Sequence, residues 1–539
     1  MKVPFTTSWI VYYTILPHEP MTSSNLLHAR LQSYPTTRST KRPYTPENEP
    51  YTITSQLALQ MGVEAELVRL LEAKLNEATG AIERSRDRPQ RIAINHFPPE
   101  LLAHVFHLVL TSRPCGKRDH SHTETSTELV YPVALSQVCS RWRHIAFNTP
   151  TLWSHIDMST SATLNQLRFN RLAQLHLDHS GEMPLDLHVF DLEGHPPSSF
   201  GCHDPLYRFI TQLSSRVFSF NLDANRAYDC DIHGRILSTL LKGSVAGKLV
   251  RIAISHDDIC HSVIRGNDDL NEGPDDIKVD LSTEQLDALL SSVSVLNLKR
   301  VQPQWNSRAY HGLVELRLKG MYSSVYIKEV ELVSILRTSP GLRVLELGVE
   351  IDDPLPTDAQ VTEIPLEDLE VLDLSKTRCY WHSTLLRWLA PGPKALQFIL
   401  RRGKYENIEV KRSLGPFLSR SRVTNVCETG LELMHILELL ELCPNLRELA
   451  VSWADAHKPD PLQIEQIGVT VLPHLECLYL TGAPIHIEDI VTLLKAPAFL
   501  VMEVAFYDCT LLKVGVSVTR DQEEAQLKEL HLNNPDVTL

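Results

Sequence analysis

This chain has no C-x-x-C pair. Its ten cysteines are spread over 539 residues, with Cys115, Cys139 and Cys202 far from one another. A zinc module would pair them, and a small secreted scaffold would carry them more densely. Free thiols in a reducing compartment are the expectation. Phosphate cradles of the G-x-x-x-x-G-K-[ST] or G-x-G-x-x-G kind are missing. So is the G-x-S-x-G elbow of α/β-hydrolases. No run approaches the roughly 18 unbroken apolar residues of a membrane span. Trp9–Leu16 is apolar and follows Lys2, but it is short for a secretory signal, and Pro17-His18-Glu19-Pro20 is a poor cleavage site. Basic charge is scarce as well: 52 Lys and Arg stand against 66 Asp and Glu, a net charge of −14. General nucleic-acid binding needs cations to displace phosphate counterions. Neither nucleic acid nor membrane is therefore an expected partner.

Chemistry-bearing clusters are sparse. His120-Ser121-His122-Thr123-Glu124 offers ligand types but no second cluster to complete four ligands. His256-Asp257-Asp258 and Asp275-Asp276 read as solvated loops between regular elements. No catalytic residue, metal or other cofactor is expected, and the chain reads as a non-enzyme.

What is present is enough apolar material, 43%, for a large core. Residues 1–54 are rich in Ser, Thr, Pro and Arg from Met21 to Pro50 and read as a disordered segment. Residues 55–90 carry a helical period in Leu57, Met61, Leu67, Leu70, Leu71, Leu75, Ala78 and Ile82. This is an amphipathic helix, either a short coiled coil or a helix folded back on its own chain.

Residues 92–157 are the most informative stretch. Pro98-Pro99-Glu100 opens a helix, since proline suits the first turn and an acid its positive end. Leu101, Leu102, Val105, Phe106 and Val109 form its apolar stripe. Residues 111–130 are polar and read as a loop. A second helix begins near Pro132, with Leu135, Val138, Cys139, Trp142, Ile145 and Ala146 at helical spacing. Thr149-Pro150 then restarts a turn that ends on Leu152 and Trp153. Periodicity by itself favours a closed three-helix core here.

From about residue 217 a short pattern recurs: apolar, two others, apolar, one other, apolar. It is clear at Val293–Leu298, Leu313–Leu318, Leu342–Leu347, Leu369–Leu374, Leu446–Val451, Leu475–Leu480 and Leu527–Leu532. Weaker copies start at Val217, Leu249, Leu396, Val423 and Leu500. From Leu342 onward the copies follow one another every 23 to 29 residues. Each copy is short and alternating, as a strand is. Helices are expected between them at Val330–Leu336, Thr384–Leu389, Leu431–Leu442 and Ile490–Leu494. Pro340, Pro393, Pro444, Pro473 and Pro497 stop each helix ahead of the next strand.

Two resemblances follow. The run Phe97-Pro98-Pro99-Glu100-Leu101-Leu102, Val105-Phe106, Leu135–Arg143 and Thr149-Pro150-x-Leu152-Trp153 resembles the F-box, in the form abundant in mushroom-forming fungi. Phe97 stands where the family usually has Leu, and the loop is longer than its minimum. The resemblance implies docking on a Skp-type adaptor and, through it, a cullin. It nominates Pro98, Leu101, Leu102, Val105, Phe106, Leu135, Val138, Cys139, Trp142, Ile145 and Trp153 as adaptor-binding. Residues 165–539 resemble leucine-rich repeats, whose period is about 20–29 residues. The usual Asn or Cys after the strand is mostly absent, with Glu350, Thr377 and Ala483 in its place.

The expected fold class is α/β: a small helical F-box, then a leucine-rich-repeat-like solenoid of parallel strands and outer helices. A β-α sandwich without solenoid order is the alternative. Arg343, Glu346, Glu370, Asp373, Arg447, Glu448, Glu476 and Tyr479 would line the concave face and contact an unknown target protein. The implied role is the substrate-recognition subunit of an SCF-type ubiquitin ligase in the cytoplasm or nucleus. A scaffold outside any ligase and an enzyme with a site on repeat loops are the other readings.

Overall fold

The computed structural model describes residues 94, 97–112, 132–160, 164–191, 204–224, 230–256, 262–270, 273, 276–320, 326–356, 359–378, 381–401, 410–429, 442–452, 475–482, 484–486, 503–507 and 510–512. The expectations for residues 1–54, the helix at 55–90, the 120–124 cluster, the helices at 431–442 and 490–494, and the copy at 527 lie outside these, apart from Leu442.

Three short helices come first: α1 (Pro99–Ser112), α2 (Val133–Val138) and α3 (Ser140–Phe147), followed by a single 3-10 turn at Pro150–Trp153. Proline at the first position and Glu100 in the first turn suit the amino end of α1. Cys139 is extended (φ −158°, ψ 170°), and this one residue separates α2 from α3.

Thirteen strands then form one sheet: β1 (His155–Ser159), β2 (Leu185–Phe190), β3 (Val217–Ala224), β4 (Arg251–His256), β5 (Val295–Lys299), β6 (Glu315–Lys319), β7 (Val344–Gly348), β8 (Val371–Asp373), β9 (Leu396–Arg401), β10 (Val423–Thr429), β11 (Glu448–Ser452), β12 (Cys477–Thr481) and β13 (Glu503–Tyr507). Spatial order equals chain order, and every neighbouring pair is parallel. Parallel neighbours need a crossover, and helices supply several of them. They are α4 (Leu164–His179), α5 (Asp204–Leu213), α6 (Cys230–Gly243), α7 (Thr283–Leu290), α8 (Glu329–Thr338), α9 (His382–Leu386) and α10 (Val410–Arg420). Shorter parallel ladders pair residues 262–266 with 277–279 and 301–303, 326–328 with 350–352, 364–366 with 389–391, and 484–486 with 510–512.

The register explains the recurring pattern. Ile156, Leu187, Phe220, Ile252, Leu296, Leu316, Leu345, Leu372, Phe398, Val426, Leu449 and Leu478 stand beside one another as direct partners across twelve strands. All are buried, and one hydrophobic core runs from Ile156 to Leu480. Alternation puts the intervening residues on the opposite face. Each strand buries its apolar side only because the next one extends the row.

The sheet begins at His155, ahead of the copies recognised from about residue 217: in β1 and β2 (HIDMS and LDLHVF) the buried Ile156, Met158, Leu185, Leu187 and Val189 alternate with His155, Asp157, Asp186 and His188. One expectation needs correction. The helix expected to reach Leu389 ends at Leu386. Leu389–Pro391 is instead a short strand, where Ile364 N–H donates to Trp388 O at 2.7 Å. Pro391 lacks an N–H and cannot continue a helix. Among the described residues, no helix is long and apolar enough to cross a membrane.

Candidate functional site

The start of α1 is set by Pro98, whose carbonyl accepts from the N–H groups of Leu101 and Leu102 at 3.1 Å each. Helical spacing then splits the apolar stripe. Leu102 and Phe106, four apart, are fully buried. The Phe106 and Trp142 rings meet with centroids 4.9 Å apart, tilted by 54°, which joins α1 to α3. Trp153 closes the module from below. It is fully buried, its Nε1 donates to Ala146 O at 2.8 Å, and it stacks on Phe147 at 5.4 Å. The His176 ring on α4 meets it edge-on at 5.2 Å. Thr149 Oγ1 donates to Ile145 O at 2.7 Å, and Arg141 Nη2 reaches back to Phe97 O at 2.5 Å.

The nominated residues therefore fall into two groups. Leu102, Phe106, Leu135, Ile145 and Trp153 are buried in this chain's own core. Leu102, Phe106 and Trp153 have no exposed surface and Leu135 and Ile145 only 6% and 5%, so these five support the module from beneath. Pro98, Leu101 and Val138 are exposed, and Val105, Cys139 and Trp142 are half-buried. Cys139 has a local duty too: its Sγ accepts from Trp142 N at 3.4 Å as the cap of α3. Phe97 and Leu108 were not nominated, yet they are 41% and 59% exposed, beside Leu101 at 52% and Val138 at 59%. Leu108 was legible, because Leu101, Val105 and Leu108 follow the four-then-three spacing of one helix face. Phe97, Leu101, Leu108 and Val138 are the exposed large apolar side chains among the described residues of 94–159.

The residues expected to contact a target divide as well. Arg343 and Glu370 immediately precede β7 and β8, and Arg447 and Glu476 precede β11 and β12, so these four sit at the entry edge of the sheet. Arg343 grips Glu370 through Nε–Oε1 at 3.2 Å and Nη2–Oε2 at 2.7 Å, and Lys394 joins Glu370 at 3.0 Å and Asp368 at 2.9 Å. The bonds from Arg343 outweigh partial burial and hold the Glu370 carboxyl below its usual range. Arg447 and Glu476 are 3.5 Å apart and exposed.

On the polar face, Glu346, Asp373 and Tyr479 occupy one row across the strands. Glu346 is a correction. It is only 6% exposed, held by Arg317 at 3.2 Å and Lys319 at 3.4 Å, so its charge is spent inside the protein. Burial pushes the Asp373 and Glu448 carboxyls up; Glu448 also accepts from Asn425 Nδ2 at 2.5 Å. Tyr479 is half-buried.

Residues 94–159 match the F-box-like family. The match covers α1 to α3 and the Trp153 turn, and it ends with β1. No curated protein matches the chain. The chain thus carries an F-box-like domain, followed by a large parallel sheet.

Proposed function

We propose that this protein is a non-enzymatic substrate receptor of an SCF-type ubiquitin ligase, acting in the cytoplasm or nucleus. The F-box-like domain docks on a Skp-type adaptor, which joins it to a cullin. The sheet, read as a leucine-rich-repeat-like array, holds a target protein. The mechanism is proximity: a tethered target meets the transfer machinery at a raised effective concentration. The observation that carries this reading is the exposed apolar set Phe97, Leu101, Leu108 and Val138 on an F-box-like segment in which Leu102, Phe106, Leu135, Ile145, Leu152 and Trp153 are buried. A module of about 60 residues cannot hide all its apolar surface alone, and a docking partner removes that surface from water.

Co-purification with a Skp-type adaptor tests the reading. The wild-type chain is expected to retain the adaptor. Leu101→Glu with Val138→Glu should abolish retention while leaving far-UV circular dichroism unchanged, because both side chains already face water. Phe218→Ala, at an exposed apolar position on β3, should retain it fully. Retention by the double variant would refute the assigned face, and no retention by the wild type would favour a scaffold outside any ligase.

A further inference from the structure

The first two strands of the sheet bring together two histidines and an aspartate that no part of the docking reading uses. His155 and Asp157 lie on β1 and His188 on β2, all on the polar face, with Asp157 and His188 direct register partners. Asp157 Oδ1 lies 3.0 Å from His155 Nε2 and 3.1 Å from His188 Nδ1, and one ligand atom from each of the three lies within 4.8 Å of the others. The outer nitrogens are also held. His155 Nδ1 is 2.7 Å from Asp186 Oδ2, and His188 Nε2 is 3.1 Å from Asp223 Oδ2.

That makes an alternating chain of carboxylate and imidazole. A neutral imidazole has one N–H and one lone pair. A divalent cation between the three inner atoms uses both features of each ring. The inner nitrogens then give lone pairs to the cation, and the outer nitrogens give N–H to Asp186 and Asp223. Histidine ligands oriented by a carboxylate on the far ring nitrogen are the usual supporting arrangement of metal sites. Bonds of about 2.0–2.2 Å at tetrahedral angles separate ligand atoms by about 3.3–3.6 Å; Asp157 lies 3.0 and 3.1 Å from the two histidine nitrogens, and all three ligand atoms fall within 4.8 Å of one another.

The geometry points to a binding site for one first-row divalent cation of the Zn²⁺ class, formed by His155, Asp157 and His188 and oriented by Asp186 and Asp223. Two histidines and one carboxylate leave a fourth position for water or for a ligand atom of a bound protein. No metal is expected from the sequence alone, because His188 lies 31 residues beyond Asp157, on the next strand. The cation would tie the terminal strand β1 to β2. End units of a stacked array have only one neighbour to hold them.

The test uses the full chain after chelator dialysis, titrated with Zn²⁺ alone by calorimetry and with Co²⁺ by visible absorption. One equivalent of Zn²⁺ should bind and raise the melting temperature, and Co²⁺ should give the bands of a four-coordinate site. His155→Gln and Asp157→Asn should each remove the saturable site. Asp186→Asn should weaken it roughly 10- to 100-fold. His155 has 21% of its side chain exposed against 3% for His188, so His155→Gln keeps the test decisive if a buried variant fails to fold. Absence of one-equivalent binding, or binding that survives His155→Gln unchanged, would overturn the site and leave a plain ion-pair ladder.

Discussion

At the scale of single residues, apolar character alone does not tell core from surface; neighbours do. Leu101 and Leu102 are adjacent and chemically identical, yet one is 52% exposed and the other has no exposed surface. A helical step of about 100° turns them to different faces. Substitution should separate them. Phe106→Ala is expected to cost about 3–5 kcal/mol of stability, read by urea denaturation, whereas Leu101→Ala should be close to neutral in the free protein. Glu448 gives a residue-scale pH prediction. Burial raises its carboxyl above the usual range. The group is protonated in folded and unfolded chains at low pH, and the cost of ionising it sets in as pH rises through the raised value. Glu448→Gln, which keeps an acceptor for Asn425, should raise the melting temperature at about pH 7 and leave it unchanged at about pH 4. An equal gain at both would show that burial of the charge is not the cause.

At the scale of elements, α8 depends on a carboxylate inside the core. Glu329 is 1% exposed. It accepts from Arg387 Nη2 and Trp388 Nε1 at 2.5 Å each, from Arg387 Nε at 3.1 Å and from Leu355 N at 2.6 Å. One side chain thus fastens the start of the helix, the loop after residues 350–352 and the segment leading to 389–391. Removing one partner of a buried pair strands the other charge and costs about 3–5 kcal/mol. Arg387→Ala should show a loss of that order. Adding Glu329→Gln should recover part of it, a non-additivity that a double-mutant cycle measures. Additive losses would mean the pair is not coupled. At α7, Ser282 and Gln285 form a reciprocal cap, Gln285 N donating to Ser282 Oγ at 3.2 Å and Ser282 N to Gln285 Oε1 at 3.0 Å. Ser282→Ala should cost about 1 kcal/mol, again by urea denaturation.

At the scale of the whole molecule, stability is carried by a row rather than by a centre. Each apolar strand residue touches its neighbours in the row, so a defect is felt along the stack. Leu345, in the middle of the sheet, is fully buried. Leu345→Ala should cost about 2–5 kcal/mol. It should also lower hydrogen-exchange protection on β6 and β8 more than on β1. Protection lost equally everywhere would argue for a single cooperative unit without nearest-neighbour character.

The strands from β3 onward could be placed from sequence because their signal is local: alternating apolar residues over a few positions, repeated at similar intervals, with prolines between. The ordered residues from Phe97 to Trp153 likewise sufficed to mark the F-box-like segment. What tertiary structure alone decided are the pairings between residues far apart in the chain. It buried five of the eleven nominated docking residues, spent Glu346 on Arg317 and Lys319, and gathered His155, Asp157 and His188 on neighbouring strands. The physical reason is separation. A strand's face follows from its own alternation, but its partners lie about one crossover away. Their identity depends on the register that packing of the apolar row selects.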